Sequence, residues 1–296
     1  MNTPRTLTLK QGPLQYLDTG QGEAILFLHG AMLSARLWRK VIPQLQGQYR
    51  CIAPTLPIGG HALPMHPEAD LSPHGVVQII VDFMDHLGLK VVTLVGNDTG
   101  GALVQFLMNR IPDRISRVVL TNCDCFEVFP PKVFEYLVHA CKVPFFVDMM
   151  AMNLRIPALR NLPFMLGGMS VRPVEIMEEY LQPLFDQKGV RRDLGKLFVG
   201  IQKKHTLEAA QKLPHFKKPV LVAWGKKDRM FAPRLAERLT GALPNSQLIW
   251  LQDSKTLVPE DQPAELANLI ELFLQGKPLH QGSVPSGRIE NRQSQA

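Results

Sequence analysis

The stretch VVTLVGNDTGGALVQFL, residues 91–107, decides the fold. It opens with β-branched and aliphatic residues, as a buried parallel strand requires. The chain then runs without a spacer through Gly96-Asn97-Asp98-Thr99-Gly100 into a helical pattern that starts near Gly101. Small residues two before and two after Asp98 permit a tight, strained strand-to-helix turn. Such a turn lifts the Asp98 side chain to the carboxyl edge of the sheet, where parallel sheets bind ligands. The N-terminus of the next helix offers backbone N–H groups and a dipole that favours negative charge. A plain βα turn with an Asx cap is the competing reading.

Similar apolar runs lie on either side: 24–28 (AILFL, running into His29-Gly30), 49–54 (YRCIAP), 117–121 (RVVLT), 219–224 (PVLVAW) and 247–251 (QLIWL). Each is followed by turn-forming residues, as strands of a parallel sheet should be. Helical spacing falls between several of them, at 74–87 behind Ser72 as N-cap and Pro73 at the first helical position, and at 233–242 and 262–274. Residues 6–18 alternate like an antiparallel edge hairpin. Strands alternating with helices predict an α/β fold with a mostly parallel, doubly wound sheet.

The alternation breaks once. Residues 126–212 hold no strand-like run and are rich in Met, Phe, Leu and Pro; six of the twelve methionines lie there, at Met149, Met150, Met152, Met165, Met169 and Met177. An ordinary helical core explains any one of them. As a block inserted between strands, they suggest a helical cap over an apolar pocket, because Met side chains adapt to irregular ligands. The expected organisation is a first core part at 1–125, the cap at 126–212 and a second core part at 213–275. The tail, 276–296, has no periodicity and is expected to be disordered.

The net charge of +7 invites a nucleic-acid reading. The basic residues, however, come as scattered pairs (Arg191-Arg192, Lys203-Lys204, Lys217-Lys218, Lys226-Lys227) with no stacking-aromatic motif among them, so a solvated basic surface is expected. The opening MNTPRTLTLKQG has no apolar targeting core, and no run is long enough to span a bilayer. Four cysteines make no disulfide framework for a chain of this size, and Cys123 with Cys125 are too few for zinc. A cytoplasmic protein without metal, cofactor, nucleic-acid or membrane partner is expected, with room for a homodimer.

Taken with LFLHGAM upstream, the order of parts resembles the α/β-hydrolase superfamily. Within it the likeness is to the aspartate-nucleophile branch of haloalkane dehalogenases and epoxide hydrolases, over residues 6–275. The resemblance implies the α/β-hydrolase fold, with Asp98 as the nucleophile on the elbow. It implies an oxyanion hole built from the amide of Ala31 or Met32 and that of Thr99, with His29 structural. A carboxylate of this kind attacks carbon to give an ester. A histidine then activates water to hydrolyse that ester, while the oxyanion amides stabilise the tetrahedral charge. The acid that orients the histidine maps to Asp228 in WGKKDRMF, ranked first, or to Asp124 in TNCDC.

The histidine itself is missing. In DSKTLVPEDQP, residues 253–263, its position is held by Thr256, and no histidine lies within twenty residues on either side. His61, in LPIGGHALPM, is the candidate substitute base, with a loop or pocket-wall role as the alternative. Other departures are Thr99 where dehalogenases carry Trp, and Met32 where epoxide hydrolases carry Pro. Cap residues Tyr136, Tyr180, Met149 and Met150 are the candidate substrate contacts. The expected function is a hydrolase acting on a small, largely apolar molecule. The alternatives are a lyase or isomerase using Asp98 as base, and a catalytically degenerate relative that binds a ligand or partner.

Overall fold

In the computed structural model, which describes residues 3–280, eight strands form one sheet in the order β1-β2-β4-β3-β5-β6-β7-β8. The strands are β1 (Arg5–Leu9), β2 (Gly12–Thr19), β3 (Ala24–Leu28), β4 (Arg50–Pro54), β5 (Val92–Asp98), β6 (Ile115–Cys123), β7 (Val220–Gly225) and β8 (Ser246–Leu251). The opening hairpin pairs antiparallel and joins β4 antiparallel; all other neighbours are parallel. Successive residues of β5 and β7 are buried on both faces, which is why these segments read as continuous apolar runs. β8 is a sheet edge and only half-buried, and its pattern alternates accordingly.

The order of connections locates the site. From β3 the chain adds β4 on one side, then returns to add β5 on the other. The crossovers therefore diverge between β3 and β5, and a crevice opens at their carboxyl ends. His29-Gly30 follows β3 there, and Asp98 ends β5.

In chain order the core helices before the insertion are α1 (Ile42–Leu45), α2 (Pro73–His86) and α3 (Thr99–Arg110). Ser72 Oγ accepts from the Gly75 N–H at the start of α2, as the Ser-Pro signature predicts. The insertion carries α4 (Leu137–Ala140), α5 (Phe146–Leu154), α6 (Pro157–Arg160), α7 (Met177–Asp186), α8 (Lys188–Gly200) and α9 (Lys203–Lys212). Helices α5, α7 and α8 pack on one another, whereas α9 packs on α3 of the core. The chain closes with α10 (Pro233–Ala242), α11 (Val258–Asp261) and α12 (Pro263–Leu274). No described helix is long and apolar enough to cross a membrane. Most of the expected tail, residues 281–296, lies outside the described residues.

A buried polar joint ties the insertion to the core. Arg39, just before α1, forms an ion pair with Glu260 of α11, and Tyr180 of α7 donates to the same carboxylate at 2.8 Å. Burial disfavours the Glu260 charge, yet the Arg39 and Tyr180 hydrogen bonds hold its pKa below the usual carboxylate value.

Candidate active site

Asp98 is the last residue of β5 and the residue before α3, with φ 54° and ψ −130°. A non-glycine residue rarely adopts this backbone, and such strain clusters at functional sites. The turn closes only because its neighbours are glycines. A Cβ on Gly100 would stand 2.2 Å from the Leu28 carbonyl oxygen. A Cβ on Gly30 would stand 2.0 Å from Asp98 Oδ2, so the HG loop lies directly against the carboxylate.

Backbone N–H groups of Thr99 and Ala31 both donate to the Asp98 carboxylate. Burial nevertheless dominates, and with the charge of Asp228 nearby it pushes the Asp98 pKa up to about 7. Of the two amides the HG loop offered, Met32 is not the one used: its N–H donates to the Ile58 carbonyl at 2.8 Å. Met32 sits at φ 60° and lines the cavity beside Asp98.

A cavity of about 30 Å³, roughly the volume of one water, abuts Asp98. Ala31, Met32 and Thr99 form its floor with Asp98, and Pro130, Pro131, Phe134, Leu166, Met169, Phe198 and Met230 close it. All of these upper residues are apolar, and most come from the inserted segment. Of the proposed substrate contacts, none lines this cavity. Tyr136 and Met149 are exposed, Met150 is buried among the helices between β6 and β7, and Tyr180 is held by Glu260 and Arg39. The residues that do line it come from loops and helix ends without periodicity, so no sequence pattern pointed to them.

Asp228 sits in the loop after β7 and is fully engaged. Its Oδ1 accepts from the N–H groups of Met230 (2.8 Å) and Phe231 (3.2 Å). Its Oδ2 accepts from Asn122 Nδ2 (2.8 Å) and from Thr256 Oγ1 (2.9 Å). Burial still raises its pKa against these four donors. Thr256 thus meets the acid that the resemblance ranked first, but as a neutral donor, and its own carbonyl accepts from Asn97 Nδ2 at 2.7 Å. Asn122 also clamps Gly225 through both its amide atoms. This residue was missed, although an Asn inside the apolar run of β6 was a readable signal.

Asp124 differs in how few donors meet its oxygens. Cys123 is the register partner of Asp98 across β5 and β6, so Asp124 follows at the same sheet edge. Its carboxyl is fully buried, neither oxygen makes a hydrogen bond of full geometry, and the Thr99 hydroxyl is the one side-chain donor that reaches it among the described residues. Burial and then the Asp98 charge hold its pKa well above the usual value, against a weaker opposing influence from the Thr99 hydroxyl. Gln105 Nε2 donates to the Asp124 backbone oxygen at 2.9 Å and fixes the loop.

His61 stands apart from this group. Its Nδ1 accepts from the Gly59 N–H at 3.3 Å, which makes Nε2 the donor to Asp193 Oδ2 of α8 at 3.1 Å. Both ring nitrogens are engaged and the ring does not line the Asp98 cavity, so His61 joins its loop to α8 and leaves no nitrogen free to act as the base. His29 is buried, its Nε2 accepting from the Leu56 N–H, and burial lowers its pKa to about 4, which suits a structural role. No group of metal-ligating side chains occurs among the described residues.

Residues 23–263 match the family model of the alpha/beta hydrolase fold, and the chain belongs to that family. Its likeness is to the haloalkane dehalogenase-like branch of that family. Haloalkane dehalogenase 2 of Mycobacterium tuberculosis is 28% identical over 279 residues, covering 89% of this chain and 92% of that protein. The cis-3-alkyl-4-alkyloxetan-2-one decarboxylase of Xanthomonas campestris is 27% identical over 299 residues, covering 94% and 97%. The crystal structure of haloalkane dehalogenase DbeA from Bradyrhizobium elkani superposes with a TM-score of 0.78 at 20% identity, over 93% of this chain and 98% of that one.

Proposed function

We propose that Asp98 is a nucleophile that opens a small, largely apolar electrophile and carries it as a covalent ester. The supporting observation is the Asp98 carboxylate itself: strained on its turn, held by the Ala31 and Thr99 amides, and set beneath an apolar wall. One carboxylate oxygen attacks the carbon, forming a C–O bond as the leaving halide or ring oxygen departs with its electron pair. The other oxygen faces the two amides, which serve as the oxyanion hole when water later adds to the ester carbonyl. The present cavity admits about one water, so substrate entry requires the insertion's apolar side chains to move.

Water addition needs a base, and Thr256 is not one. Asp124 is the carboxyl best suited to the task. The Thr99 hydroxyl is the one side-chain donor that reaches it among the described residues, and esterification removes the Asp98 charge, one of the two causes of its raised pKa. It then takes the proton of the attacking water. Asp228 and Thr256 hold the loop between β8 and α11 in place.

Intact-mass spectrometry after incubation with alkyl halides, epoxides and strained lactones tests this reading. Wild type should show a mass increment that Asp98→Asn lacks, and Asp124→Asn should prolong it. An increment equal in all three variants would remove Asp98 from the chemistry. The missing histidine also favours a second, non-hydrolytic reading, in which Asp98 assists loss of a group without water addition. The Xanthomonas relative is named for such a decarboxylation. Alkene and carbon dioxide released from an oxetan-2-one would select that reading. Ligand binding without any product would leave a degenerate binder.

A further inference from the structure

Helix α5 is apolar on two faces. Val147, Met150, Ala151 and Leu154 point inward and are buried. Phe145 just before the helix, Met149 and Met152 on its other face, and Ile156 just after it make up a second apolar stripe. That stripe lies in solvent, with exposures of 81, 54, 69 and 49%. Val143, Leu159 and Phe164 extend the exposed apolar surface before and after it. An isolated exposed Leu needs no explanation, whereas a continuous stripe marks an interaction surface. Phe145 also holds φ 63°, a left-handed conformation that is uncommon for a bulky residue.

The charge beside the stripe has one sign. A groove of about 480 Å³ runs from Lys142 and Phe145 to α8, and its lining carries five cations (Lys142, Lys188, Arg191, Arg192, Lys196) against the single carboxylate of Asp148. Asp148 is taken by Arg191 at 2.6 Å, and Arg192 pairs with Asp193. Lys196 donates to the carbonyls of Pro67 and Ala69. Lys142 and Lys188 are exposed and have no partner among the described residues. An apolar stripe rimmed by free ammonium groups is complementary to acyl chains beneath anionic headgroups. At nine residues α5 is about 14 Å long, far too short to span a bilayer, so it would lie in the interface plane.

We propose that this face of the cap docks on the surface of an anionic phospholipid bilayer, with the Phe145–Ile156 stripe inserted among acyl chains and Lys142 and Lys188 at the headgroups. The docking is independent of the chemistry at Asp98 and concerns surface association, not a spanning segment.

Co-sedimentation of the full chain with vesicles tests it, comparing phosphatidylcholine alone with phosphatidylcholine containing phosphatidylglycerol. Wild type should pellet with the anionic vesicles and release as salt is added. Phe145→Ser with Met152→Ser, and separately Lys142→Glu with Lys188→Glu, should each weaken binding roughly tenfold or more. These sites are exposed, so unchanged circular dichroism should accompany the loss. No pelleting, or equal pelleting on both vesicle types, would overturn the proposal. So would a wild-type dimer in light scattering that the Phe145→Ser, Met152→Ser variant dissolves, since the stripe would then be a contact between copies.

Discussion

Thr256 Oγ1 donates to Asp228 Oδ2 at 2.9 Å, so the buried acid after β7 keeps a partner from the β8–α11 loop although no imidazole is there. A hydroxyl can satisfy that oxygen but cannot take a proton from water near neutral pH. Position 256 therefore gives this acid a hydrogen-bond donor and no base.

Thr256→His should return the catalytic duty. If Asp98 forms an ester, a base at this site should raise its hydrolysis by about 10²–10⁴-fold. Position 256 is fully buried, so the larger ring should also cost about 1–3 kcal/mol of stability. Single-turnover decay of the ester mass, alongside urea unfolding, measures both.

Thr256→Val keeps the shape and removes the donor. The loss should be about 1–2 kcal/mol where Asp228 is ionised. The Thr256 bond favours the charged acid, so its removal raises the folded-state pKa of Asp228 further. The destabilisation should accordingly be smaller at low pH, where the acid is protonated in both states, and grow as pH rises. Unfolding curves across pH give the slope directly.

Asp98→Asn should stabilise the fold at alkaline pH. The carboxyl has a pKa near 7 in the folded protein and an ordinary value of 3.8, so the folded state binds the extra proton between these limits. Its ionisation thus erodes stability from pH 4 to 7, and the penalty is complete above that. The amide carries no charge, so the variant should gain on the order of 1–3 kcal/mol at pH 8 and nothing below pH 4. The same titration predicts that covalent labelling of wild type rises with pH through a midpoint near 7.

Gly30→Ala should abolish labelling. The added methyl would stand 2.0 Å from Asp98 Oδ2, so the carboxylate must leave the Ala31 and Thr99 amides. Loss of activity with the far-UV spectrum intact would match this; full activity would contradict the assigned contact.

Asp193→Asn should loosen the insertion from the core. Burial opposes the Asp193 charge, but bonds from His61, the Met65 N–H and Arg192 hold its folded pKa below the ordinary value. That stabilisation is present above the unfolded pKa and disappears as pH falls through the lower, folded one. The variant should lose about 1–3 kcal/mol at neutral pH and show faster hydrogen exchange in α8.

Local chemistry alone carried much of this architecture. The run 91–95 and the small residues around Asp98 prescribe a buried strand and a strained turn, and β5 and α3 follow them. Ser72-Pro73 prescribes the start of α2. The break in strand spacing after residue 125 prescribes a helical segment, and every element between β6 and β7 among the described residues is a helix. These features depend on neighbours in sequence, so no tertiary information was needed.

Contacts between distant segments were decided elsewhere. Asn122 and Thr256 are 134 residues apart and meet on one carboxylate only because β6, β7 and the β8 loop converge at one sheet edge. His61 could be placed near that edge from its strand, but its engagement by Asp193, 132 residues away, needed the packed cap. The same packing left Asp124 with few donors, filled the cavity from loops and turned the α5 stripe to solvent. Sequence determines which backbone turns and apolar faces exist, since those are local energies. Which side chain answers which is set by the three-dimensional packing that closes the long loops between them.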